Sequence, residues 1–423
     1  MFDLLSYSLA DFHYNDNPNV LLPPEDFDSW VNHPLLADTF SCTGYQLATS
    51  PGTTTYLLDI TNNDRIKVIN LSSLNYLGLS YHPEVIQAAK VALDQYGLGS
   101  AGVPLVGGTF DLHLDLARKL AEFKQKEDCI LYSSGFGGNV GALQGVLRRD
   151  DVLILDEKCH KSMVDGGTLS GAKMLFFDHN DPEHLATILE THSGKRILVG
   201  VEGVYSVDGD LARLDEIIQV CDQYQAATYI DEAHSNLIFG PNGRGVAEYF
   251  GVEDKIGMTF GTLSKSFGVV GGFVCSNARI IRYLKGYSPP WLYSTTPPPP
   301  VIAGLIKELE IATRDSSLRD RVLANASYMR KSLLDMKLDI GCSQSHIIPI
   351  MVGSSGEKLF NLAAEVRKRG LLLMPIDYPA VPAHLRRFRL SVSAMLTKEE
   401  MDTSLNIIED VIAKALRAEE KKS

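Results

Sequence analysis

The chain has 423 residues, 45% apolar and 22% charged, with a formal net charge of −12 from 40 basic and 52 acidic side chains. That balance belongs to a folded, enzyme-sized protein of two or three lobes, and excludes a disordered or fibrous chain. The acidic surplus argues against non-specific binding of nucleic acid or of an anionic membrane, so an anionic ligand must be held by local groups. Six scattered cysteines, without a C-x-x-C pair, predict reduced thiols, no disulfide framework, no metal site and a cytoplasmic location. Met1-Phe2-Asp3-Leu4-Leu5 lacks the basic start of a signal peptide. No apolar run reaches the ~18 residues of a membrane span.

Residues 1–60 mix Asn, Asp, Pro and Thr with isolated aromatics, and read as an N-terminal arm that wraps the body or a partner. Within it, Asp26 to Leu36 suits a short helix. Regular structure begins with a strand over Lys67 to Leu71. A helix follows from Pro83, with Val85, Ala88, Ala89 and Ala92 at helical spacing and Gly97 to end it. Residues 97–108, GLGSAGVPLVGG, are either a flexible loop or a turn that lets backbone approach a ligand or a partner subunit. Leu112, Leu116, Leu120 and Phe123 then share one helix face. Next, the strand Ile130 to Tyr132 feeds Ser133-Ser134-Gly135-Phe136-Gly137-Gly138-Asn139, a junction whose N–H groups suit a phosphate.

From there short apolar strands alternate with helices: Val152 to Leu155, Met174 to Phe177, Ile197 to Val201, Thr228 to Ile230, Met258 to Phe260 and Gly272 to Cys275. Their near-continuous apolar character predicts strands buried on both faces, hence an α/β fold with a mostly parallel sheet. Polar residues gather at the strand ends: Asp156, Glu202, Asp231 and Thr262. In open α/β sheets that edge carries the ligand crevice. After Tyr287 the texture changes. Helices over 301–313 and 318–336, strands near 347–352, 371–374 and 387–392, a helix near 358–368 and a capping box at Thr397 and Glu400 suggest a smaller α+β domain. The expected organisation is an arm over 1–60, a large domain over 61–290 and a small C-terminal domain over 291–423.

The chemistry concentrates in Gly261-Thr262-Leu263-Ser264-Lys265-Ser266-Phe267-Gly268. A Ser-Lys-Ser by itself is ordinary in solvated loops. Here Asp231-Glu232-Ala233-His234 lies 34 residues upstream of Lys265, at the end of a separate apolar strand. An amine to form an imine, hydroxyls and N–H groups for a phosphate, and an acid for a pyridinium nitrogen together describe a pyridoxal 5′-phosphate (PLP) site.

Nine stretches in order resemble the α-oxoamine synthases, class II aminotransferase-like PLP enzymes of fold type I. They are NYLGL (75–79), GGTFDLHLDL (107–116), SSGFGGN (133–139), EGVYSVDGD (202–210), DEAHS (231–235), GRG (243–245), GTLSKSFG (261–268), STTPPP (294–299) and RFRLSVSA (387–394). SLNYLGL and GTFDLH lean toward the serine palmitoyltransferase branch. The resemblance implies a decarboxylative condensation of an amino acid with an acyl thioester, carried on coenzyme A or an acyl carrier protein, to give an α-aminoketone. It implies that Lys265 is the Schiff-base lysine and base, that Asp231 pairs with the ring nitrogen, and that His160 stacks on the ring. His234 and Ser206 would bond the phenolic oxygen. Thr262, Ser264, Gly135 and Phe136 would hold the phosphate. Ser294, Thr295 and Thr296 would reach the phosphate of a neighbouring subunit, in a homodimer with shared sites. Arg389 would clamp the substrate carboxylate, and Asn75 would lie beside the substrates.

The chain carries Leu74, Pro104, Ala380 and Leu396, departures from the pattern of the family it resembles at positions that lie near the substrates in relatives. Two other readings stand beside this one. One is another fold type I enzyme (aminotransferase, lyase or decarboxylase), and the other is a non-catalytic partner subunit, which the retention of Lys265, Asp231 and His234 disfavours.

Overall fold

A computed structural model of the chain describes residues 7–37, 45–59 and 63–420; Met1–Leu5 and Cys42 lie outside the described residues. In chain order the strands are β1 (Tyr45–Leu47), β2 (Thr54–Asp59), β3 (Arg65–Asn70), β4 (Asp128–Tyr132), β5 (Val152–Asp156), β6 (Lys173–Phe177) and β7 (Ile197–Glu202). They continue with β8 (Ala227–Asp231), β9 (Met258–Thr262), β10 (Gly272–Ser276), β11 (Ile347–Gly353), β12 (Leu371–Leu372), β13 (Met374–Ile376) and β14 (Arg386–Ser391). The chain forms two compact units. One comprises Leu74–Ser206 and Asp210–Val322, and the other Met1–Ser73, Val207–Gly209 and Leu323–Ser423.

The first unit is built on a seven-stranded sheet of order β4-β10-β9-β8-β7-β5-β6. Strands β6, β5, β7, β8 and β9 run parallel, and β10 is antiparallel to both its neighbours. Strands β5, β7, β9 and β10 are buried at every residue. They form a core in which Leu153, Leu155, Leu198, Tyr229, Phe260 and Val274 pack with Leu143, Met163 and Ile281 of the covering helices. Burial on both faces is the reason for expecting parallel pairing, and β5, β7 and β9 are both buried and parallel. Strand β10 is as deeply buried yet antiparallel, because burial follows from covering helices on both faces and does not fix strand direction. Strand β6, by contrast, lies at the edge of the sheet and Phe176 is 42% exposed. An apolar run cannot tell a central strand from an edge strand, because edge position depends on strand order.

The second unit holds two sheets, β1-β2-β3-β12 and β11-β14-β13. Its core joins Ile348, Ile350, Phe388 and Leu390 to Leu359, Val366, Met329 and Leu405. The hairpin β1–β2 falls in the stretch expected as an arm. Thr54–Asp59 contains alternately exposed and buried positions at its start, a period-2 signal too short to stand out among polar neighbours. The helix expected over Asp26 to Leu36 is two pieces, Asp26–Val31 and Pro34–Ala37. Pro34 lacks the N–H that would continue the first helix, and starts the second. The helix Pro299–Arg314 packs against Pro83–Tyr96 and Asp111–Phe123, so residues 291–322 fall in the unit of the large sheet, beyond the sequence boundary at 290.

The capping box at the last helix forms as its sequence predicts. Thr397 Oγ1 accepts from the Glu400 N–H at 3.1 Å, and Glu400 Oε2 accepts from the Thr397 N–H at 2.9 Å. Glu400 Oε1 also accepts from Thr53 Oγ1 (3.0 Å) and Thr54 Oγ1 (2.7 Å). Burial opposes its ionisation, but these donors outweigh it and hold the carboxyl below its usual range. A depressed carboxylate pKa stabilises the fold above the unfolded-state value and loses that contribution as pH falls through the folded one. Glu400→Ala is expected to cost about 1 kcal/mol at neutral pH in urea unfolding, given partial solvent screening, with the difference shrinking in acid.

Candidate active site

The parallel pairing of β8 and β9 sets Asp231 opposite Phe260, so Asp231, Thr262 and Lys265 emerge at one edge of the sheet. Strand β10 returns beside β9 with Gly272 opposite Thr262, and the Leu263 N–H donates to the Gly271 carbonyl at 2.9 Å. The turn between them carries Lys265. At the same edge the helix Gly135–Val146 begins, capped by Ser134, whose Oγ accepts from the Gly137 N–H at 3.0 Å. Its first turn lies so close to β9 that a Cβ on Gly135 would stand 2.6 Å from Thr262 Oγ1.

These elements enclose a cavity of about 310 Å³. Gly135, Phe136, His160, Asp231, Thr262, Ser264 and Lys265 line it, together with Ser134, Asn139, Ser162 and Glu202. A larger cavity, about 820 Å³, opens at the opposite ends of β7, β8 and β9 beside Lys195, Arg279 and Arg282. It contains neither the lysine nor the acid, so size does not locate the chemistry.

Lys265 Nζ is hydrogen bonded to His234 Nε2 at 2.7 Å, and His234 Nδ1 to the Tyr76 hydroxyl at 2.8 Å. Asp231 is buried; Oδ1 accepts from the Ala233 N–H at 2.8 Å and Oδ2 from Asn139 Nδ2 at 2.7 Å. Asn139 Nδ2 also donates to Ser162 Oγ at 2.9 Å, and Ser162 Oγ bonds His160 Nδ1 at 2.7 Å. His160 and Asp231 are thus joined through two polar side chains. Burial holds the His160 imidazole below its ordinary pKa, so it is neutral near pH 7. Thr262 Oγ1 and Ser264 Oγ are 2.8 Å apart at the foot of the helix.

In the sequence Glu202 is legible only as a polar strand end. It stands beside Asp231 in the sheet register, is buried, and leaves Oε1 without a hydrogen-bond partner. Burial first, and the neighbouring Asp231 second, push its carboxyl well above the usual range. Asn139 and Ser162 were missed as site residues. Asn139 ends the SSGFGGN motif, which was its one signal; Ser162 had none.

The remaining expected residues are placed as follows. Ser206 follows β7 in a turn closed by the bridge Val204–Leu211 and does not line the cavity. Asn75 Nδ2 donates to Ser80 Oγ at 2.8 Å, and a Cβ on Gly268 would meet Asn75 Oδ1 at 2.5 Å. Thr296 donates through N and Oγ1 to the Gly102 carbonyl (3.1 and 3.2 Å), while Ser100 Oγ donates to the Thr296 carbonyl. Ser133 Oγ donates to the Thr295 carbonyl. The glycine-rich turn and Thr296 are therefore bound together within one chain, and Thr295 is tied to Ser133. Arg389 belongs to the other unit, on β14 between Pro349 and Met374.

The donor set fits PLP: an amine for its aldehyde, an acid for its ring nitrogen, and hydroxyls beside a helix N-terminus for its phosphate. Fold and site together define a PLP-dependent transferase of fold type I. The sequence profile of the family "Aminotransferase class I and II" matches residues 66–408. An 8-amino-7-oxononanoate synthase of Thermoanaerobacter pseudethanolicus is 38% identical over 350 residues, 82% of this chain and 88% of that protein. Two solved structures superpose with TM-scores of 0.85. One is a Sphingomonas wittichii serine palmitoyltransferase, 30% identical, covering 91% of this chain and 95% of that one. The other is an S. paucimobilis serine palmitoyltransferase with a bound PLP–myriocin adduct, 29% identical, covering 90% and 95%. The chain belongs to the aminotransferase class I and II family, and within it to the α-oxoamine synthases. It is a PLP-dependent acyltransferase that condenses an amino acid with an acyl thioester and releases carbon dioxide. Among the described residues, no helix is long and apolar enough to cross a membrane.

Gly135→Ala tests the phosphate end. Its methyl group must displace Thr262 Oγ1 or the helix start. PLP affinity is expected to fall by about tenfold or more, read by absorbance titration of the apo-protein, with the urea midpoint little changed.

Proposed function

We propose that Lys265 would hold the coenzyme through its amine and, as a neutral amine, would remove the Cα proton of the amino-acid substrate. One observation carries this reading: Lys265 and Asp231 line a single cavity with a helix N-terminus beside them. When bound, PLP draws electrons from the Cα of an attached amino acid. Asp231 holds a proton on the ring nitrogen by charge and hydrogen bonding, and Asn139 and the Ala233 N–H keep its carboxylate oriented. His160, which lines the cavity and is held below its ordinary pKa by burial, would face the ring without adding a competing charge. Thr262, Ser264 and the N–H groups of Gly135 and Phe136 hold the phosphate. His234 and Ser206 bond the phenolic oxygen.

The hydrogen bond from Lys265 to His234, itself tied to Tyr76, positions the amine for proton transfer. Arg389 supplies a planar, two-pronged donor for the substrate carboxylate, and Asn75 contributes to the substrate pocket. The family likeness supports a homodimer in which Ser294, Thr295 and Thr296 serve the partner's phosphate site. It also supports a cytoplasmic location and leaves coenzyme A and an acyl carrier protein as alternative acyl donors.

Lys265→Ala is expected to lose the long-wavelength absorbance of the lysine-bound coenzyme. Thiol release from acyl-CoA in the presence of amino acids should fall by a factor on the order of 10³. Normal thiol release by this variant would rule out the assigned role. Arg389→Lys is expected to raise KM for the amino acid about tenfold with a smaller change in kcat, because an ammonium cannot engage both carboxylate oxygens in one plane.

A further inference from the structure

His179 lies outside every motif named above, yet it occupies a junction of three loops at the carboxyl edge of the large sheet. It follows β6. Its Nδ1 is 2.9 Å from Asp156 Oδ1, at the end of β5, and its Nε2 is 2.8 Å from Asp210 Oδ2, on the far side of the turn that follows β7. The side chain is 13% exposed, and the side chains of Asp156 and Asp210 are 0% and 6% exposed. The imidazole ring stands edge-on to Tyr205, with centroids 4.4 Å apart.

Each carboxylate organises a loop that carries a residue assigned above to the coenzyme: His160, which lines the cavity, and Ser206, which stands outside its lining. Asp156 accepts from the Lys158 N–H at 2.9 Å and from the Asn180 N–H at 2.9 Å, and its carbonyl accepts from the Cys159 N–H. That loop ends at His160, which lines the cavity. Asp210 accepts from Asn180 Nδ2 at 3.0 Å, and its carbonyl accepts from the Tyr205 N–H. Ser206 is the next residue. Two buried carboxylates bridged through both nitrogens of one ring require both nitrogens to donate, so the ring is an imidazolium.

We propose that His179 is a positioning residue. By bridging Asp156 and Asp210 it locks the His160 loop to the Ser206 turn, and so sets the spacing of two groups that face the coenzyme ring. This rests on the assignment of His160 and Ser206 to the coenzyme. The charge persists through neutrality. Burial opposes it, but hydrogen bonds to Asp156 and Asp210 outweigh burial and push the pKa up to about 9. The other ionisable groups around the ring are Glu157, which accepts the His179 N–H at 3.4 Å, the Tyr205 phenol, and Asp178, paired with His184 at 3.2 Å. A raised histidine pKa contributes order that is complete below the unfolded value and lost as pH rises through the folded one. The bridge therefore opens in the alkaline range.

The test uses holoenzyme of wild type, His179→Gln and Asp210→Asn, followed by visible circular dichroism of the bound coenzyme, kcat and KM across pH, and thermal unfolding. Glutamine reaches only one of the two carboxylates. Both variants are expected to lose visible dichroism at neutral pH. Their kcat should fall by about 10- to 100-fold, with KM for the amino acid changed much less. Wild type is expected to lose its visible dichroism reversibly above about pH 9, and the variants to lack that step. If both variants unfold at lower temperature but keep wild-type dichroism, kcat and pH profile while folded, His179 is a structural residue and the proposal is wrong. Should His179→Gln fail to fold, Asp210→Asn decides by the same readouts. A wild-type protein that takes up no PLP would instead sink the underlying site assignment, a result the first titration separates from the rest.

Discussion

The parallel ladder between β8 and β9 is the constraint on which the site depends. Asp231 ends one strand opposite Phe260 of the other, and Thr262 closes β9 two residues later. Neighbouring strands lie ~4.8 Å apart, so residues separated by a long crossover in sequence share one edge in space. The antiparallel return of β10 then fixes the turn that carries Lys265. Adjacent strands add to the same edge. Glu202 comes from β7, His160 from the loop after β5, and the helix at Gly135 from the junction after β4. The crevice at the carboxyl ends of the strands is thus a product of strand order, and the helix N-terminus proposed to seat the phosphate comes with the helix that β4 feeds.

Electrostatics within this edge are set by opposite treatment of like residues. Two histidines follow neighbouring strands of the sheet. Burial holds the His160 imidazole below its ordinary pKa, whereas hydrogen bonds to two buried carboxylates push the half-buried His179 up to about 9. Two acids lie side by side on β7 and β8. Asp231 holds two donors through its two oxygens, while Glu202, partly unpaired and desolvated, is driven toward its neutral form. Environments that push paired groups apart in this way let one small cavity hold an amine, a carboxylate and a neutral imidazole together.

Close approach of backbone is the second requirement, and it explains where glycine is needed. Gly135 lets a helix N-terminus touch Thr262, and Gly268, at φ +78°, folds the turn after Lys265 onto Asn75. Within the same unit the glycine-rich turn grips Thr296 through the Gly102 carbonyl and Ser100. Its partner there is a stretch of its own chain nearly two hundred residues away.

By itself the sequence determined the α/β class, because fully buried strands must be written as apolar runs and helices between them as periodic ones. It also determined the coenzyme chemistry, since an amine, an acid and a phosphate seat in fixed order leave a local signature around Lys265, Asp231 and Gly135. It did not determine that β6 is an edge strand, that residues 45–59 form a hairpin, or that residues 291–322 join the large sheet's unit. Those depend on which strands and helices pair, information spread over the whole chain. Only the tertiary structure decided that Asn139 and Ser162 link His160 to Asp231, that Glu202 is a buried neighbour of Asp231, and that His179 bridges two carboxylates. Such contacts join single polar residues from separate loops, and no local spacing or periodicity encodes a hydrogen bond between them.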